Sequence, residues 1–311
     1  MKTKSLLTKM VLAGVVLSAV AMFDLPAQAA ITSENLFDIG TVHSLYIIMD
    51  MSDSNAYEDM RFSAGDDPGE PEGSVYPTEI EPGVYEHTYW QAYIADDPGG
   101  DFINVAIRRK SDHALPDESD PDKFSLKIDI NRQGFTPPNQ RFGGKKKLSL
   151  ECGSDNALIK EGLAWAAYRE TGMVAGRANW MKVYISTDWG SSYEYKGLFV
   201  NVEQVDKEYL EDHMPDRHEY GFLYKLTEYN GDVQKTREAE TNPFEFNWYP
   251  FDHPQYIAED PTPADWLTQT PLRVDMDQML KFAVVENFVA NADGTINKGN
   301  NFYYYDWATH P

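Results

Sequence analysis

The chain is poor in the residues that most simply hold a protein or a metal together. Cys152 is the only cysteine among 311 residues. It excludes an intrachain disulfide and a cysteine-built zinc site, and reads as a small buried hydrophobe. The seven histidines (43, 87, 113, 213, 218, 253, 310) are scattered. Only His213 and His218 lie close together, at no helical ligand spacing, which argues against bound zinc. Basic residues are scarce too, 27 Lys+Arg against 50 Asp+Glu, a net charge of −23. Nucleic acid and anionic membranes need cations to neutralise them, so this charge argues against both as partners. Beyond residue 30 no apolar run is long enough to span a bilayer. Gly-x-Gly-x-x-Gly, a Walker loop and Gly-x-Ser-x-Gly are all missing, which argues against the common nucleotide folds and α/β serine hydrolases. No carboxylate pair stands out for glycoside cleavage, and the acid-rich loops 50–59 and 111–122 lack the EF-hand pattern.

What is present begins with a leader. Residues 1–30 carry three lysines, an apolar run from Met10 to Phe23 and Ala27-Gln28-Ala29, the layout of a secretory signal peptide. Its cleavage removes three Lys and one Asp and leaves a soluble, exported chain of net charge −25. That charge suits a basic protein partner. Hydrophobic residues at 42% and aromatics at 13% supply a packed core.

Residues 31–311 read as one domain without repeat or linker. Strands are expected at 45–50, 84–95, 102–110, 123–131, 148–151, 179–187, 195–205 and 221–226. The cleanest is 123–131, where Phe124, Leu126, Ile128 and Ile130 alternate with Lys123, Ser125, Lys127 and Asp129. Residues 63–83 and 111–122 read as loops, and 228–271 as a long irregular segment. One helix runs from an N-cap at Asp155 to a stop at Gly172, with Leu158, Ile159, Gly162, Leu163, Ala166 and Ala167 as its apolar stripe. A second spans 275–290, with Asp275 and Gln278 as a capping box. It is apolar nearly all round and is expected to be buried. The class is α+β with a mostly antiparallel sheet.

The few cations gather. Arg108, Arg109 and Lys110 end one strand, and Lys123 and Lys127 share the polar face of the next. If those strands pair, they form a surface for phosphate, or else neutralise the acidic loops nearby. Glu161, on the helix that follows, repeats the order of the Lys–Glu pair in protein kinases. Asp293 follows a helix and precedes an amide-rich turn and the aromatic strand 302–305, as a catalytic-loop Asp does. The strict pattern places Asn five residues later; here that position is Lys298, and the asparagines are 297, 300 and 301. A plain Asp-Gly turn is the alternative.

Taken in order, IRRKSDHALPDESDPDKFSLKIDIN (107–131), KKLSLECGSDNALIKEGLAWAAYRETG (146–172), VYISTDWGSSYEYKGLFVNVEQVDKEYL (183–210), GFLYK (221–225), ETN (240–242) and NADGTINKGNNFYYY (291–305) resemble the CotH kinase family. The resemblance covers residues 84–306. It implies an atypical protein-kinase-like fold with a few buried helices. It also implies an exported enzyme, extracellular, periplasmic or associated with a coat or envelope, that moves phosphate from ATP, with Mg²⁺ or Mn²⁺, to Ser or Thr of a protein. On that reading Asp293 is catalytic and Asn300 or Asn301 binds metal. Arg109, Lys127 and Lys225 face the phosphates, with Glu161 or Glu203 holding one of those cations. The family carries a further Trp-Asp-x-Asp-like metal motif after the aromatic strand, so the resemblance implies that this sequence is a fragment. Glu240 also departs from the basic residue often found there. The alternative is a non-catalytic acidic scaffold of a coat or extracellular complex.

Overall fold

The computed structural model describes residues 30–49, 56–61, 78–81, 84–86, 88–110, 123–153, 158–214, 222–227, 231–234, 275–291 and 302–306. The chain divides into Met1–Ile31 and Thr32–Pro311; everything that follows concerns the second unit. Among the described residues no helix is long and apolar enough to cross a membrane.

Seven strands close into a barrel: β1 (Val42–Met49), β4 (Trp90–Ala95), β5 (Ile103–Arg109), β6 (Leu126–Asp129), β7 (Lys147–Glu151), β8 (Ala178–Ser186) and β9 (Glu194–Val202). Their order is β1-β4-β5-β6-β7-β9-β8, and a parallel β1–β8 pairing closes the ring while every other pair is antiparallel. The α+β class and the mostly antiparallel sheet therefore hold. Period-two alternation fills the interior. Leu45, Ile47, Ile94, Val105, Ile107, Leu126, Ile128, Leu150, Met181 and Val183 are fully or almost fully buried.

Helix α2 (Leu158–Glu170) packs outside the barrel on β8 and β9. It ends at Gly172, whose φ of +76° carries the left-handed stop the sequence predicts. Asp155 lies outside the described residues. The expected stripe is only partly right. Contact runs through Leu158, Gly162 and Trp165 onto Ala178, Trp180, Val200 and Val202, whereas Ile159 and Leu163 are more than half exposed. The large indole at 165 takes the place on the barrel that the smaller apolar residues were expected to share.

Helix α3 (Lys207–His213) lies against a second sheet. This sheet has the order β11 (Gly231–Gln234), β10 (Phe222–Thr227), β12 (Phe302–Asp306), and meets α3 through Val205, Tyr209, Leu210, Leu223, Tyr303 and Tyr305. Helix α4 (Met276–Phe288) is capped by Asp275, whose carboxylate accepts from the amides of Asp277 and Gln278, both at 3.1 Å. Contrary to expectation it is not buried. Only Val285 and Glu286 are, while Leu280, Val284 and Phe288 are 61%, 66% and 81% exposed. One face alone meets α2, where Phe282 stacks on Tyr168 with ring centres 5.6 Å apart.

The expected 84–95 strand is two, β3 (Val84–Glu86) and β4, and β3 pairs with β2 (Thr78–Glu81) from the region read as loop. Pro82-Gly83, a turn pair, stands between them. Helix α1 (Ala56–Arg61), helix α3 and strand β11 were not expected.

Candidate functional site

The cations of the sequence do meet. β5 and β6 pair with Arg108 opposite Lys127 and Arg109 opposite Leu126, and β7 continues the row with Ser149 opposite Lys127. Residues opposite each other on neighbouring strands share a face, so Arg108, Lys127 and Ser149 lie together on the outside of the barrel. Arg109 takes the other parity, with Ile107, and is 3% exposed. Arg108 donates from Nε to the Tyr89 hydroxyl at 3.3 Å, and the Tyr89 ring also carries the Arg132 guanidinium 3.7 Å from its centre.

Lys110 resumes the parity of Arg108 just past β5, fixed by its backbone N–H donating to the Ser125 carbonyl at 2.8 Å. Its Nζ donates to Ser149 Oγ at 2.8 Å and forms an ion pair with Glu151; the Ser149 hydroxyl itself donates to Glu151 at 3.2 Å. Glu161, on the first turn of α2, is the second acid at this point. Burial and the charge of Glu151 push its carboxyl up to about 7, against the pull of Lys110 and a hydrogen bond from Trp165. Lys110 is thus ion-paired with Glu151 and also acts electrostatically on Glu161.

Glu203 does something else. It is 2% exposed and takes Arg177 in a two-pronged pair, at 3.0 Å from Nε and 2.5 Å from Nη2. Lys145 Nζ reaches it at 3.0 Å and His213 Nε2 at 2.8 Å. Hydrogen bonds from His213 and Arg177 and the charges of Lys145 and Arg177 hold its carboxyl far below the ordinary range despite burial. This network ties α3 to the barrel.

Lys225 stands in β10 with its backbone opposite Tyr303 of β12 and Val233 of β11. Asp293, Asn300 and Asn301 lie outside the described residues, but both sides of their segment are placed. Before it, Asn291 donates to Glu286 at 3.1 Å and hydrogen-bonds Tyr168 of α2, whose hydroxyl is pushed up to about 12 by burial and by Glu286. After it, Tyr303 is pushed up to about 12 by burial and then by Asp206 and Glu151. Asn291 thus contacts α2 through Tyr168, and Tyr303 lies within electrostatic reach of Glu151.

The same outer face continues into an open cavity of about 540 Å³ lined by Asp129, Asn131, Arg132, Gln133, Lys146 and Lys147. Lys147 is paired with Asp206 at 3.3 Å and Lys146 with Glu208 at 3.5 Å. Among the described residues no group of three His, Cys, Asp or Glu could hold a metal ion.

Sequence reasoning singled out Lys127 and Glu161 and noted Lys110, but it missed Ser149 and Glu151. Their signal was available: once 148–151 is a strand paired with 123–131, alternate residues 149 and 151 fall on the face of Lys127. Among curated proteins none matches this sequence. Residues 116–311 match the family described as CotH kinase protein. That match spans more than half of the sequence and includes Lys127, Ser149, Glu151 and Glu161, so the chain belongs to the CotH kinase family.

Proposed function

We propose that this chain is an exported CotH-type protein kinase that transfers the terminal phosphate of ATP to Ser or Thr hydroxyls of a basic protein. The observation that carries the reading is the cluster of Lys110, Lys127, Ser149, Glu151 and Glu161 on one face of a CotH-family barrel. Lys110, Lys127 and Arg108 supply the positive charge a polyphosphate needs, with Glu161 and Glu151 setting the position of Lys110. Lys225 of β10, whose backbone pairs with that of Tyr303 in β12, is the cation we assign to the phosphates from the second sheet. The barrel-side parity of Arg109 makes Arg108 the better candidate for phosphate contact. Asp293 would orient the substrate hydroxyl and take its proton. Asn300 or Asn301 would ligate Mg²⁺ or Mn²⁺, which neutralises charge on the phosphates when bound.

The test is transfer of labelled terminal phosphate to a Ser/Thr protein. Asp293→Ala should lower kcat by about 10²–10⁴-fold, the range for losing a positioned base, with the melting temperature unchanged. Full activity in that variant would end the catalytic assignment. A second reading, an acidic scaffold that no longer transfers phosphate, is favoured by one observation: Lys110 is already paired internally with Glu151. Titration calorimetry with ATP and Mg²⁺ separates the two, since the scaffold binds neither.

A further inference from the structure

The opposite side of the barrel carries a feature that phosphate transfer does not use. On the outer face of β1, β8 and β9 the tyrosines are in ring contact. Tyr46 stacks on Tyr184 at 4.8 Å with an 11° interplanar angle, and Tyr184 meets Tyr195 at 5.1 Å. Tyr193 closes edge-on to Tyr46 at 5.2 Å. Alongside, Tyr93 of β4 faces Trp189 at 6.4 Å. The two groups adjoin at Ile48, which pairs with Tyr93 and comes so near Gly190 that a Cβ there would sit 3.0 Å from it. These rings are not core. The interior of the same strands is filled by Leu45, Ile47, Met181 and Val183, while Tyr195 and Trp189 are 52% and 58% exposed.

Trp189 is held out on purpose-built backbone. Its φ is +58°, an uncommon value for a bulky residue. Asp188 fixes the loop by accepting from Ser186 Oγ at 2.7 Å, Ser192 N at 2.9 Å and Ser192 Oγ at 2.6 Å, and Gly190 N donates to Ser186 Oγ at 2.8 Å. An exposed ring presented on a rigid loop loses little freedom when something stacks on it.

We propose that this face binds an uncharged polysaccharide of flat, equatorially linked pyranose rings. The axial C–H faces of such sugars match electron-rich aromatic rings; Tyr46 and Tyr184 are stacked on each other, so the open stacking surfaces are the exposed rings of Trp189 and Tyr195, and the packed tyrosines supply hydroxyls. Tyrosine hydroxyls, with Asp97 beside Tyr46 and Asp188 beside Tyr193, give the sugar hydroxyls both donors and acceptors. Charge decides between candidates. A chain of net −23 repels nucleic acid, uronate polymers, anionic membranes and a second copy of itself. The aromatic strands β4, β1, β8 and β9 and the phosphate-facing strands β5, β6 and β7 occupy different sectors of the ring, so both sites can be filled together.

Affinity electrophoresis of the full chain through gels containing hydroxyethyl cellulose, and co-sedimentation with insoluble chitin, test this directly. Retention by at least one of these neutral polymers is expected, with none by polygalacturonate. Trp189→Ala and Tyr195→Ala should each weaken retention about tenfold, the loss of one stacking ring, with phosphate transfer unchanged. If Tyr195→Ala lowers the melting temperature, Trp189→Ala at the loop tip and quenching of tryptophan fluorescence by cellohexaose give the same readout. No retention by either neutral polymer, retention that survives both substitutions, or equal retention by polygalacturonate would overturn the proposal. So would a wild-type dimer that Trp189→Ala dissociates while binding no polymer.

Discussion

Glu203 and Glu161 illustrate how differently two buried acids can behave in one fold. Glu203 is surrounded by Arg177, Lys145 and His213 and is held ionised. Its folded pKa is depressed, so its contribution is present above the unfolded value near 4.5 and is lost as pH falls below it. Glu203→Gln leaves Arg177 and Lys145 without their shared counter-charge and should cost about 3–5 kcal/mol, read by urea unfolding at pH 7. Glu161 has the opposite sign. Its folded pKa is raised from 4.5 to about 7, so the folded state binds the extra proton and stability declines as pH rises through that interval. Glu161→Gln should remove that decline, making the variant more stable than wild type at pH 8 by on the order of 1–3 kcal/mol, with little difference at pH 4.5. Identical pH profiles for the two proteins would mean that Glu161 is not the titrating group. The family resemblance named both acids as candidate holders of a phosphate-facing cation. It could not separate their roles, because Glu203 meets partners 26 and 58 residues away that only the folded barrel brings together.

At the scale of elements, the sequence was most legible where one face is dry and the other wet. Strand 123–131 declares itself by alternation, and its pairing with 102–110 sets Arg108 and Lys110 on the face of Lys127, while Arg109 takes the other parity with Ile107. The helices were read less well, because composition reports how apolar a segment is and not which side meets a neighbour. Helix α4 holds Leu280, Val284 and Phe288 in the open. Short elements such as α1 and β11 have too few residues for any period to show. The close approach of α2 to β8 is legible only in the structure, and it rests on Gly162. A Cβ there would lie 2.8 Å from the Trp180 ring, whose Nε1 donates to the Leu158 carbonyl at 3.1 Å. Gly162→Ala gains helix propensity but must push the indole or the helix aside, and overpacking of this kind costs about 1–3 kcal/mol. Because Glu161 is the adjacent residue, the same substitution should also raise KM for ATP more than it lowers kcat, a split measurable in the phosphate-transfer assay. A Gly162→Ala protein with unchanged stability and KM would show that α2 does not set the position of the lysine cluster.

Across the whole molecule the acidic surplus and the local cations answer different needs. Among the described residues, Arg108, Lys110 and Lys127 share one barrel face, and Arg132, Lys146 and Lys147 line the adjoining cavity. A small anion such as ATP responds to that local patch at short range, where salt screens weakly in a partly buried site. A protein substrate responds to the net charge of −23 over tens of ångströms, beyond the Debye length of about 10 Å at 0.1 M salt. The two dependences should therefore separate. With a serine-containing, arginine-rich peptide as acceptor, kcat/KM for the peptide should fall about tenfold between 20 and 300 mM salt, a modest case of lost electrostatic steering, while KM for ATP changes far less. An acidic serine peptide of the same length should be a poorer acceptor at low salt and approach the basic one as salt rises. If the two peptides are phosphorylated equally at all ionic strengths, the surface charge does not select the partner. The acidic residues then keep the protein in solution and do not choose the acceptor.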